Sequence, residues 1–241
     1  MADSRTNPLG PLATHTVSAF DAEIGELRGL VAQMGGLAEH AIGEAMRCLV
    51  QRDVDGAHTV IEADKKLDAL EVETEQRVVQ VIALRAPMAG DLRDVVAALK
   101  ISGVVERIGD YAKNIAKRVP LLEDAGKIEP VSLLPAMAKI ATGMVHDVLN
   151  AFVNRDAQAA LEVCERDAQV DDFYDSIFRT LLTHMMENPH NIGQSAHLLF
   201  VAKNLERVGD HATNIAEMVY YAATGQHMGE RVKGADPSSR R

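Results

Sequence analysis

With 241 residues, the chain is long enough for one large domain or two ordinary ones. Hydrophobic residues make up 47% but aromatics only 4%, with no Trp, so Ala, Val, Leu and Met carry the apolar burial, which suits helices better than sheets. A net charge of −10 excludes a general nucleic-acid binder, which needs a basic footprint, and favours basic partners or hard cations instead.

The predicted elements follow from helical periodicity and from where the prolines fall. A polar head over 1–14, with Pro8 and Pro11, is expected to be disordered, and the first helix is placed at 18–52. The second helix, 55–85, ends before Pro87, and the third, 91–119, ends before Pro120. The stretch "LEDAGKIEPVS" (122–132) reads as a linker. A fourth helix covers 134–154, with Pro135 in its first turn, and a fifth covers 157–187, ending before Pro189. A sixth runs over 191–224, and the tail 226–241, closing on "GADPSSRR", is expected to be disordered. A helix of about 30 residues is about 45 Å long, and three such rods on short loops make a bundle. The predicted fold is all-α: six long helices in two tandem, pseudo-symmetric three-helix bundles, at 15–121 and 133–225.

The two bundles are predicted because the chain repeats itself. "ERIGDYAKNIA" (106–116) returns as "ERVGDHATNIA" (206–216), with eight of eleven positions identical at an offset of 100. "RDVDGAHTVIEADKKLD" (52–68) aligns with "RDAQAALEVCERDAQVD" (155–171) at an offset of 103. The three lost residues belong in the hairpin loops, and two copies are too few for a solenoid.

The repeated segments carry the chemistry. Ile101, Val105, Ile108, Ala112, Ile115 and Val119 have the spacing of a core stripe, as do Val201, Leu205, Val208, Ala212, Ile215 and Val219. Glu106 with Asp110, and Glu206 with Asp210, then fall one turn apart on the opposite, outward face, near Arg107 and Arg207. The second and fifth helices carry their own i, i+4 pairs, Asp64 with Asp68 and Asp167 with Asp171. Folding each hairpin at its proline brings both pairs of a half to one level. Stacked like charges cost a helix about 0.2–0.5 kcal/mol per pair, which a bound cation relieves. One carboxylate metal cluster per half is therefore expected, with Fe, Mn or Mg favoured by all-oxygen ligands and Zn as a further candidate. The simpler alternative is a solvated acidic face, bridged by Arg107, Arg207, Lys113 and Lys117 or docking a basic partner.

Mid-helix Gly109 and Gly209 each forgo about 1 kcal/mol of helix propensity, so a close neighbour or space beside the acids is expected at both. No two histidines are spaced for a helical zinc site, and neither Glu106 nor Glu206 heads a Glu-x-x-His of the di-iron type. No nucleophile elbow, phosphate-binding loop or dinucleotide fingerprint is present, and no enzyme is expected. Cys48 and Cys164 lie in predicted helices without a C-x-x-C pairing, which suggests buried thiols in a reducing compartment. Without a leader signal or a long apolar run, the expected location is the cytoplasm, with any membrane reached only through a partner.

"ERIGDYAKNIAKR" and "ERVGDHATNIAE", together with "PMAGDLRDVVAALKISGVV" and "RDVDGAHTVIEADKKLD", resemble the PhoU family, accessory regulators of bacterial phosphate uptake. The resemblance spans about residues 15–225 and implies two three-helix bundles whose acidic motifs bind multinuclear metal clusters. It also implies an adaptor at the inner face of the membrane. Such an adaptor couples a phosphate ABC transporter ATPase to a phosphate-sensing histidine kinase, restrains the phosphate regulon when phosphate is plentiful, and is a homodimer. The second copy departs from the first where "NPHNIGQSAHL" replaces the P-x-x-x-D-L-R pattern, so Asp91 and Arg93 lack counterparts. Two other classes stand beside the adaptor: a ferritin-like metal-dependent oxidase, and a metal-free helical scaffold with acidic docking faces.

Overall fold

The structure is a computed structural model. It describes residues 11–122 and 132–229, with side chains from Phe20 onward. Seven α-helices lie among these residues: α1 Pro11–Gln51, α2 Val54–Arg85, α3 Gly90–Ala116, α4 Leu134–Asn154, α5 Ala157–Glu165, α6 Asp167–Glu187 and α7 Ile192–Thr224. The first helix begins at Pro11, inside the head expected to be disordered. Third-helix character ends at Ala116, and the chain leaves through a 3-10 turn at Pro120–Leu122. The rest of the head, most of the predicted linker and the end of the tail lie outside the described residues.

The "RD" that opens both copies of the repeat is a helix corner used twice. Arg52 (φ 57°) and Arg155 (φ 55°) turn the chain through the left-handed region, which costs an ordinary residue about 1 kcal/mol. The following aspartate then caps the next helix. Asp53 accepts from the Gly56 amide at 2.8 Å, and Asp156 accepts from the Gln158 and Ala159 amides at 3.0 Å.

The predicted fifth helix is broken. At Arg166 two 3-10-type bonds replace the α pattern: Arg166 N–H to Val163 O at 3.1 Å, and Gln169 N–H to Arg166 O at 3.0 Å. The Arg166 side chain reaches across to Asp147 on α4. Neither Gly nor Pro marks the break, and the first copy has Ala63 at that place in an unbroken α2.

All twelve residues of the two predicted core stripes are buried. Helices α1, α3, α4 and α7 pack against one another across the seam between the halves, α1 on α4 and α3 on α7. Helix α2 lies against α1 and α3, while α5 and α6 lie against α7. One hydrophobic cluster runs through both halves. Cys48 is buried as expected, whereas Cys164 is only half-buried. No described helix is long and apolar enough to cross a membrane.

Candidate metal centre

The expected acids do gather, but not on an outward face. Glu106 and Asp110 of α3 are half-buried, in the crease where α2 packs on α3. Asp64 of α2 is deeper, its side chain only 7% exposed, while Asp68 stands at the solvent edge. The second half repeats the crease between α6 and α7. There Asp167, Glu206 and Asp210 are half-buried and Asp171 is exposed. The 100° projection that placed the acids opposite the core ignored the neighbouring helix, which leans over that face.

That lean is made possible by the two glycines. A Cβ on Gly109 would stand 2.2 Å from Leu67 Cδ2 and 3.4 Å from Asp64 Oδ1. A Cβ on Gly209 would meet Val170 Cγ1 at 3.3 Å and Asp167 Oδ1 at 3.5 Å. In both copies the missing side chain lets an apolar residue of the outer helix close on the inner one, carrying the first aspartate with it.

Packed this way, the acids perturb one another. Glu106 is pushed up to about 6, first by burial and then by the charges of Asp110, Glu71, Asp68 and Asp64. Glu71 is itself raised, by burial and by Glu75 and Asp68. Glu71 was missed from sequence, although it continues the Asp64–Asp68 pair by one more turn of the same face. Glu206 is raised chiefly by burial, and one of its oxygens, Oε2, is buried without a hydrogen-bond partner.

Each crease also holds one lysine, set in from opposite ends. In the first half Lys113 reaches both Asp64 and Asp110, the latter at 2.5 Å. Burial works against the Lys113 charge, yet these two carboxylates hold its pKa above the usual lysine range. Thr213 takes that place in the second half, where Lys203 instead pairs with Glu206 at 2.7 Å. Lys203 stands over the ring of Tyr174, 5.3 Å from its centre, and Tyr174 is the counterpart of Glu71. The duplicated creases have therefore diverged in charge while each keeps the four acids of the repeated motifs.

The residues after Asp110 and Asp210 meet at the seam. Tyr111 and His211 stack across it and share a hydrogen bond of 2.9 Å. His211 is thus engaged between the halves rather than turned into a crease, as its mismatch with Tyr111 in the repeat suggested.

Two features of the creases would favour a nearby cation: a buried, orphaned Glu206 oxygen, and a Glu106 whose ionisation is resisted by burial and by four neighbouring carboxylates. Among the described residues, no three acid, histidine or cysteine side chains converge on a single point as a ligand set.

The raised Glu106 has a consequence for folding. Its carboxyl titrates at 4.5 when unfolded and at about 6 when folded, so ionisation costs the folded state stability as pH rises through that window. With solvent screening allowed for, Glu106→Gln is expected to be more stable than the parent by about 1 kcal/mol at neutral pH and equal to it below the unfolded pKa. Urea unfolding across that range checks the sign; a variant less stable at neutral pH would show an attractive environment instead.

Structurally, the molecule is an all-helical, internally duplicated protein with an acid-lined crease in each half. A family model described as the PhoU domain matches it twice, over residues 31–119 and 134–219. The phosphate-specific transport system accessory protein PhoU homolog of Zymomonas mobilis is 53% identical over 222 residues, covering 92% of this chain and 94% of that one. The homolog of the same description from Caulobacter vibrioides is 46% identical over 221 residues, covering 90% and 95%. The crystal structure of PhoU from Pseudomonas aeruginosa matches with a TM-score of 0.82 at 35% identity, over 86% of this chain and 100% of that one. The chain belongs to the PhoU family.

Proposed function

We propose that this protein is the accessory adaptor of a phosphate-specific transport system. It couples the ABC transporter ATPase to a sensor histidine kinase and restrains the phosphate regulon when phosphate is plentiful, without itself catalysing a reaction. The observation that carries this reading is likeness to transport accessory proteins across both halves at once, with the acid crease present in each copy.

In this reading Asp64, Asp68, Glu106 and Asp110 hold cations in the first crease, and Asp167, Asp171, Glu206 and Asp210 hold them in the second. Carboxylate oxygens favour Fe, Mn or Mg, with Zn a further candidate. A bound cation would bridge acids of the outer and inner helices, and so pin the outer helix of each half to the inner one.

The test is binding of the purified ATPase subunit and of the kinase, each with and without added Mn²⁺. Binding of both, weakened by replacing the eight acids with their amides, is the expected result. Failure of the intact protein to bind either one would overturn the reading.

The metal-free scaffold has one observation in its favour, since Lys113 already bridges Asp64 and Asp110. Nothing supports the ferritin-like oxidase. The acids line a surface crease rather than the middle of a bundle, and Gly109 and Gly209 stand where such sites place a histidine.

A further inference from the structure

Away from both creases, three arginines crowd the start of α3. Arg28 of α1 donates from Nη2 to Asp94 Oδ2 at 2.6 Å, and Arg155, at the corner between α4 and α5, approaches the same oxygen at 3.3 Å. Arg93 has a long bond, 3.4 Å, from Nε to the Ala222 carbonyl of α7. One buried carboxylate thus receives two guanidinium groups while the third, Arg93, reaches a carbonyl, and Arg28 Nε is buried with no partner.

The second guanidinium nitrogens of Arg93 and Arg155 face a common space in front of Gly90. A Cβ on Gly90 would lie 3.7 Å from Arg155 Nη2 and 3.8 Å from Arg93 Nη2, with no closer atom. Two cations bordering one gap repel each other in the free protein and attract an anion placed between them. Arg93 also borders a cavity of about 480 Å³ between α3 and α7, with Leu92, Val96, Met218, Tyr221 and His227 in its wall. The Tyr221 and His227 rings stack there at 4.6 Å.

We propose that this protein binds a phosphate-class oxyanion between Arg93 and Arg155, in front of Gly90. The anion is either free orthophosphate or the phosphate of a monoester whose body fills the neighbouring cavity. Planar guanidinium groups suit this ligand, since each can present paired N–H donors to two oxygens. The acid creases have the opposite sign and are not involved, so the site goes beyond the adaptor reading and does not depend on it. The duplication supplies a control. Arg52 turns the equivalent corner of the first half, but Gly193 and Gln194 stand where Arg93 and Asp94 would be needed beside it.

Equilibrium dialysis of the full chain, with a chelator present to exclude metal-bridged binding, tests this with orthophosphate and AMP as separate probes. Saturable binding of either probe is expected, weakened at least roughly tenfold, about 1.4 kcal/mol, by Gly90→Ala and by Arg155→Gln, and unchanged by Arg52→Gln. Gly90→Ala fills the gap without altering charge, and its methyl sits at ordinary contact distance, so the fold is retained. Binding of orthophosphate alone identifies the free ion as ligand, while tighter binding of AMP identifies the ester. No binding of either probe at millimolar concentration overturns the site, as does binding that both substitutions leave intact.

Discussion

Asp94→Ala is expected to cost about 3–5 kcal/mol of folding stability, the largest loss from any single substitution considered. Its side chain is 4% exposed and lies on α3, where it receives Arg28 from α1 and Arg155 from the other half of the molecule. Removing it leaves the Arg28 and Arg155 guanidinium groups without the carboxylate that they share, beside a third, Arg93. Partial exposure of Arg28 and Arg155, at 22% and 40%, places the effect toward the lower end of that range. Urea denaturation would show a lower midpoint, with the slope unchanged if the denatured state is unaffected. Gln194→Ala, at the matching place in the second copy, should fall within about 0.5 kcal/mol of the parent. A loss below about 1 kcal/mol for Asp94→Ala would mean that water already screens the cluster.

The second large effect separates the two glycines. Gly109→Ala gains about 1 kcal/mol of helix propensity. It also drives a methyl group to 2.2 Å from Leu67 Cδ2, so the buried Leu67 side chain must turn toward the cavity of about 420 Å³ that it and Gly109 line. Overpacking of this kind typically costs about 1–3 kcal/mol, and the open space beside Leu67 keeps it to the middle of that range, for a net loss of about 1 kcal/mol. At Gly209 the same methyl meets Val170 at 3.3 Å, which a shift of a few tenths of an ångström relieves. Gly209→Ala should therefore be neutral or slightly stabilising. Thermal or chemical unfolding of the two variants side by side reads the difference. Equal losses would show that the creases close by some means other than the glycines.

Much of this fold can be read from the chain because its signals are doubled. The stripe through Ile101, Val105 and Ile108 recurs through Val201, Leu205 and Val208, and all six residues are buried. The "RD" corners align in sequence, and in the structure they form the same turn and the same cap. What escaped the sequence depends on contacts between elements that periodicity does not encode. The break at Arg166 coincides with a side chain reaching α4 across the bundle, with no breaker residue at the site. The half-burial of Glu106 and Glu206 comes from helices α2 and α6 leaning in over Gly109 and Gly209. Lys113 and Lys203 enter their creases at different turns, so the copies differ in charge where their acid motifs are identical in type. The arginine cluster around Asp94 was invisible for the same reason, because its members come from α1, α3 and the corner after α4.

The metal content of the protein, purified without an affinity tag and loaded in turn with Fe, Mn, Mg and Zn, is the most direct test of the two creases. The comparison is with the variant carrying Asn for Asp64, Asp68, Asp110, Asp167, Asp171 and Asp210 and Gln for Glu106 and Glu206. Stoichiometric metal in the parent, lost in the variant, is the predicted result. Metal-free protein in both, after loading with each ion, would contradict it and leave the acids as a docking face already part-neutralised by Lys113 and Lys203.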